Sequence, residues 1–126
     1  MSAAPIPSTL VLLSELGRCT AGQKVRFLGL VHEYTTSTAT LTLKHDYPPD
    51  SPTKIAKVDI THVLESIKQT EIDVGTWLNV IGYVEHKKDQ VVSVQAVTVW
   101  DALDVNVDAY EQAFEARRYT GSDCHS

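Results

Sequence analysis

Positive charge is scarce in this chain: 11 Lys and Arg stand against 16 Asp and Glu, for a formal net charge of -5. A domain that binds nucleic acid unaided draws most of its affinity from phosphate contacts and usually carries a basic excess. Strong solo binding of DNA or RNA is therefore not expected. The imbalance is local, since residues 22–99 carry eight basic against nine acidic side chains, whereas residues 100–126 carry two against six. Cysteine is nearly absent too. Cys19 and Cys124 lie far apart and form neither a disulfide framework nor a zinc-ligand spacing, which favours a reducing compartment. Long apolar runs are missing: Leu10–Leu13 is short, has no basic stretch ahead of it, and nothing approaches the roughly 20 residues of a spanning helix. A soluble, unsecreted protein is expected. There is no glycine-rich phosphate loop, paired-histidine motif or nucleophile elbow. His32, His45, His62, His86 and His125 are scattered and read as surface residues, and Asp59 and Asp73 as solvated carboxylates without a nucleophile. No enzymatic activity, cofactor or metal is expected.

What is present suits one core: 126 residues, 43% of them hydrophobic. The domain is expected over residues 10–120, with flexible tails at 1–9 and 121–126. Gln23–Tyr34 opens with the half-buried alternation Val25 and Phe27 against Lys24 and Arg26, then becomes apolar on both faces around Gly29, where a bulge is expected. Ala39, Leu41 and Leu43 alternate with threonines to make a second strand with one wet face. His45–Thr53, with Pro48, Pro49 and Pro52, cannot supply ladder donors and reads as a loop. Lys54–Ile60 is a third strand with Ala56, Val58 and Ile60 on one face. Thr61 then caps a helix of about two to three turns bearing Val63, Leu64 and Ile67. Thr76–Val84 and Val91–Trp100 are the fourth and fifth strands, separated by a charged hairpin loop over Glu85–Gln90. A last helix carries Leu103, Val107, Tyr110, Ala113, Phe114 and Arg117 on one face and stops at Gly121.

Five strands with a helix between the third and fourth follow the order of the OB-fold, a mostly-β, partly open barrel. A five-stranded sheet of another topology is the alternative. Ala21–Val31 looks like a first OB strand and Val74–Val84 like a fourth. Joined to Val58–Leu64 and to the segment Tyr110–Tyr119, they resemble the Ten-one family, the smallest subunit of the telomeric CST complex, over roughly residues 14 to 120. The resemblance implies a nuclear, telomeric protein that pairs with a larger OB-fold subunit, Stn-one, and helps to protect single-stranded telomeric DNA. The small subunit of replication protein A is similar in architecture, and an autonomous single-strand binder is a further alternative.

Two sets of site residues follow. Bases stack on aromatic rings and lysines track phosphates in OB grooves, which selects Arg26, Tyr34, Lys44, Lys57, Tyr83, Lys87 and Lys88 as a sparse nucleic-acid surface, with Glu33, Asp46 and Asp89 opposing it. The stripe on the last helix can either cap the barrel or meet a partner. The helix at Val63–Ile67 is available for capping, and aromatic residues with arginine typify interface hot spots. Val107, Tyr110, Phe114, Arg117 and Arg118 are therefore assigned to the partner.

Overall fold

Alternation of apolar and polar side chains dictates the long strands. Val25 and Phe27 turn inward on β2 (Lys24–Thr35) while Arg26 stays outside, because successive side chains of a strand leave opposite faces. The computed structural model describes residues 8–48, 55–67, 72–88, 91–102 and 106–119. A two-residue strand, β1 (Thr9–Leu10), runs parallel to β2, and β3 (Thr40–Lys44), β4 (Ile55–Asp59), β5 (Trp77–Lys88) and β6 (Val91–Asp101) complete the sheet. The helix α1 (Val107–Tyr119) follows. The expected tails lie outside the described residues except for Ser8 and Thr9, and Thr9 belongs to β1.

The sheet closes on itself. β2 pairs with β3 through Leu30–Thr35 and with β5 through Lys24–Leu30; β5 pairs with β6, β6 runs parallel to β4, and β4 is antiparallel to β3. That circuit, with its single parallel seam between β4 and β6, is the OB barrel. Phe27, Leu41, Leu43, Val58, Leu78 and Val80 fill its interior with no exposed surface. Burying one such side chain contributes about 1.5–3 kcal/mol. Gly29 lies where a side chain would meet Leu43 Cβ at 2.8 Å, and it lets β2 and β3 close tightly over the core.

The barrel is stoppered by a segment for which the sequence shows no periodic signal. Val11, Leu13 and Leu16 are fully buried in the barrel's core cluster. They precede or occupy a 3-10 turn over Leu13–Arg18 that touches β2, β4 and β6. Glu15, itself buried, accepts a 2.8 Å hydrogen bond from the Leu12 amide and so satisfies a donor at the start of the turn.

Several expectations are corrected. The helix after the third strand is a 3-10 turn, Thr61–Val63, followed by tight turns; Val63 is buried, Ile67 half-buried and Leu64 is 43% exposed. The local cap is Asp59, whose carboxylate accepts from both the amide and the hydroxyl of Thr61. The amides of Ser66 and Ile67 share the Val63 carbonyl, so the 3.6-residue ladder is not extended. The bulge of β2 falls between Val31 and Glu33, not at Gly29, whose pairing with Leu78 is regular. Thr42, placed on a wet face, is buried. The expected loop at Glu85–Gln90 is mostly strand: Lys87 and Lys88 pair with Val92 and Val91 as the end of β5, because the ladder continues past an extra residue at Glu85. His45, read as a surface histidine, is only 3% exposed.

Candidate functional site

The helix α1 meets the barrel through a layer of polar and aromatic groups. Beyond β3 the chain carries His45 and Tyr47, and these two side chains reach α1. His45 Nε2 lies 2.7 Å from Glu111 Oε2, and the Tyr47 hydroxyl donates to Glu115 Oε2 at 2.7 Å. The two acids are four residues apart, one helical turn, so they share the face turned to the barrel. His45 also meets the edge of Trp77 at a centroid distance of 5.4 Å and the tilted ring of Tyr110 at 6.2 Å. Tyr110 packs in turn on Phe114 at 5.2 Å, and Phe114 is 4% exposed. Nearby, Leu30, Lys44, His45, Asp46, Trp77, Val107 and Glu111 line a cleft of about 220 Å³.

This geometry corrects part of the partner assignment. Phe114 is consumed by the chain's own fold, and Val107 and Tyr110 are half-buried on the same side. The reason is that the barrel supplies a polar seat for the helix, in His45, Tyr47 and Trp77, so the aromatic stripe has an internal partner. Asp108, Ala109, Gln112, Ala113 and Ala116 are exposed and make the open face of α1. Arg117 and Arg118 belong to its last turns, and their side chains lie outside the described residues.

The nucleic-acid candidates separate into groups. Lys57 is exposed on β4 between Thr42 and Ser93, and Lys44 lies one row further, opposite Ile55. Elsewhere on the barrel Tyr83 sits between Lys24 and Gln95, and the Arg26 guanidinium lies 5.1 Å over the ring of Trp100. That stacking orients Arg26 by the attraction of a cation to an aromatic face. Tyr34, half-buried, pairs with Leu41 after the bulge and packs partly against the core. Lys87 and Lys88 are placed by backbone register alone. Among the described residues no cluster of three or more metal-ligating side chains occurs. His45, Tyr47, Trp77, Glu111 and Glu115 were missed from sequence. The usable signal was the pair Glu111 and Glu115, one turn apart beside the aromatic stripe, which marks that face as more than an apolar anchor.

Comparison with known proteins places these features in context. A family model described as "Ten1: Telomere capping, CST complex subunit" matches residues 1–115. The protein ten1 of Schizosaccharomyces pombe is 28% identical over 109 residues, spanning 86% of this chain and 92% of that protein. Among solved structures, a chain of the S. pombe Stn1-ten1 complex superposes with a TM-score of 0.70 at 26% identity, covering 92% of this chain and 96% of that one. Replication protein A of U. maydis, in a structure bound to single-stranded DNA, matches with a TM-score of 0.58 at 24% identity over 93% of this chain and 97% of that one, a likeness of fold.

Proposed function

This chain belongs to the Ten1 family of telomere-capping CST complex subunits, and from that premise we propose that it is a non-enzymatic nuclear subunit that pairs with a larger, Stn1-like OB protein. Together they hold single-stranded telomeric DNA. The observation that carries the reading is the match of barrel and terminal helix, over 92% of the chain, to a chain from the solved Stn1-ten1 complex. The contact uses the open face of α1 and the barrel beside it, since the opposite face is occupied by His45, Tyr47 and Phe114. Arg117 occupies the helix position one turn after Ala113, beside that open face.

Co-purification tests the pairing. The tagged chain is expected to recover one larger OB-fold protein, and Ala113→Arg, at an exposed helix position, is expected to abolish that recovery. Thermal stability of the lone variant should change by less than about 0.5 kcal/mol, as for surface substitutions generally. Recovery undiminished by Ala113→Arg would remove the helix from the interface; recovery of no OB partner would remove the pairing.

The sparse basic surface sets a second expectation. The isolated chain should bind a single-stranded oligonucleotide more weakly than about 1 µM at physiological salt, because few counterions are released. In the assembled complex, Lys57→Ala should lower the slope of log affinity against log salt by about 0.7, the value for one lost phosphate contact on a single strand. Nanomolar binding by the lone chain in a fluorescence titration would instead mark an autonomous single-strand binder.

A further inference from the structure

His45, one of the residues that line the cleft between α1 and the barrel, carries a polar atom that the fold does not use. His45 has a side chain 2% exposed, with Nε2 engaged by Glu111. Its Nδ1 is buried and has no hydrogen-bond partner among the described residues. A buried polar atom without a partner is destabilising, and such atoms in native proteins call for an explanation. With the Nε2 hydrogen donated to Glu111, the neutral ring presents Nδ1 as an acceptor. Besides His45 the cleft is lined by two acids, Asp46 and Glu111, by Trp77 and by one cation, Lys44. Its charged lining therefore sums to one excess negative charge when His45 is neutral.

We propose that this cleft receives one guanidinium group, an arginine side chain projecting from the larger subunit; the inference rests on the pairing proposed above. Three features select that chemistry. Three of the lining residues, His45, Asp46 and Glu111, carry acceptors, and a guanidinium has five donors and no acceptor. Trp77 supplies an aromatic wall, on which a planar cation is held better than a compact ammonium. The volume, about 220 Å³, is below the roughly 300–1,000 Å³ of pockets for small organic ligands and suits one side chain. The cleft opens at Val107 and Glu111, on the barrel side of α1, so an arginine entering it adds a second contact to the one proposed for the open face. Lys44 opposes a cation, and this makes the charge dependence diagnostic.

The test titrates the full-length chain, labelled with nitrogen-15, with N-acetyl-arginine amide, N-acetyl-lysine amide and thymidine 5′-monophosphate. Arginine amide is expected to shift the His45 Nδ1 and Trp77 indole signals saturably, with lysine amide weaker and the nucleotide inert. Asp46→Asn should weaken arginine amide by about threefold and Lys44→Gln should strengthen it by a similar factor, the scale of partly exposed ion pairs. Equal response to lysine amide, response to the nucleotide alone, absence of response, or charge effects of the opposite sign would each overturn the assignment. The two proposals fail separately. A chain that recovers its OB partner but ignores arginine amide keeps the pairing and loses the cleft; a chain that binds arginine amide but recovers no partner keeps the cleft and loses the pairing.

Discussion

Replacing Phe114 with alanine is expected to destabilise the isolated chain by about 3 kcal/mol, the lower end for deletion of a buried aromatic ring. The ring is 4% exposed and packs on Tyr110, which contacts His45. Its loss removes apolar contact at the point where α1 is seated, beside the two hydrogen-bonded pairs His45 with Glu111 and Tyr47 with Glu115. Denaturant unfolding of the single chain measures the loss. Phe114→Leu should recover most of it by refilling the volume, and Tyr47→Phe, which deletes one hydroxyl, should cost about 1 kcal/mol. The outcome separates two roles for one side chain. An anchor in the partner would leave the lone chain's stability intact and weaken association by about 2 kcal/mol or more; that result would place the ring at the subunit interface instead.

A second large effect is expected at Gly82. A Cβ there would collide with the backbone carbonyl of Gln95 and approach Val94 Cγ1 at 2.9 Å. The pairing of β5 with β6 shifts at this point, from Ile81 opposite Thr98 to Gly82 opposite Ala96, leaving Val97 as an extra residue. The obstructing atom is part of the neighbouring strand's backbone, so no rotamer change relieves the clash. Gly82→Val is expected to cost about 3 kcal/mol or more, at or beyond the usual range for overpacking, and to reduce soluble expression. A variant within about 0.5 kcal/mol of the parent, the range of ordinary surface changes, would show that the two strands do not approach as described.

The strands were legible because a half-buried strand writes its two faces as alternation. Val25 and Phe27, Ala56 and Val58, and Val92 and Val94 are all buried as their spacing implies. Elements joined by long-range contacts were not legible in the same way. Leu10 to Leu13 form a short apolar run with no period, and only the barrel it packs into defines the role of Val11, Leu13 and Leu16. Val63, Leu64 and Ile67 have helical spacing, yet the barrel takes Val63 and leaves Leu64 outside. At the candidate site the composition of α1 showed an interaction face but could not say with what. The answer lies in His45 and Tyr47, in a proline-containing segment more than sixty residues earlier in the chain. Tyr34 lies beyond the bulge between Val31 and Glu33, whose extra residue shifts the register and leaves the ring half-buried against the core, an irregularity that strand alternation does not announce.

The closure of β2 onto β5 has a consequence for how the protein is made. Residues 24–30 find their partners at residues 77–83, so on the ribosome the first long strand must wait for most of the chain before its ladder can form. The parallel seam of β4 and β6 waits longer still. Pairings so distant in sequence make for slow folding, in milliseconds to seconds rather than microseconds. During that interval Val25, Phe27 and Leu28 are presented on an unprotected strand, a surface prone to self-association. Once the ring has closed, Val25 and Arg26 have neighbours on both sides, β5 on one and β1 with the chain at Val11 on the other. That stretch of β2 then offers no bare edge to a passing chain.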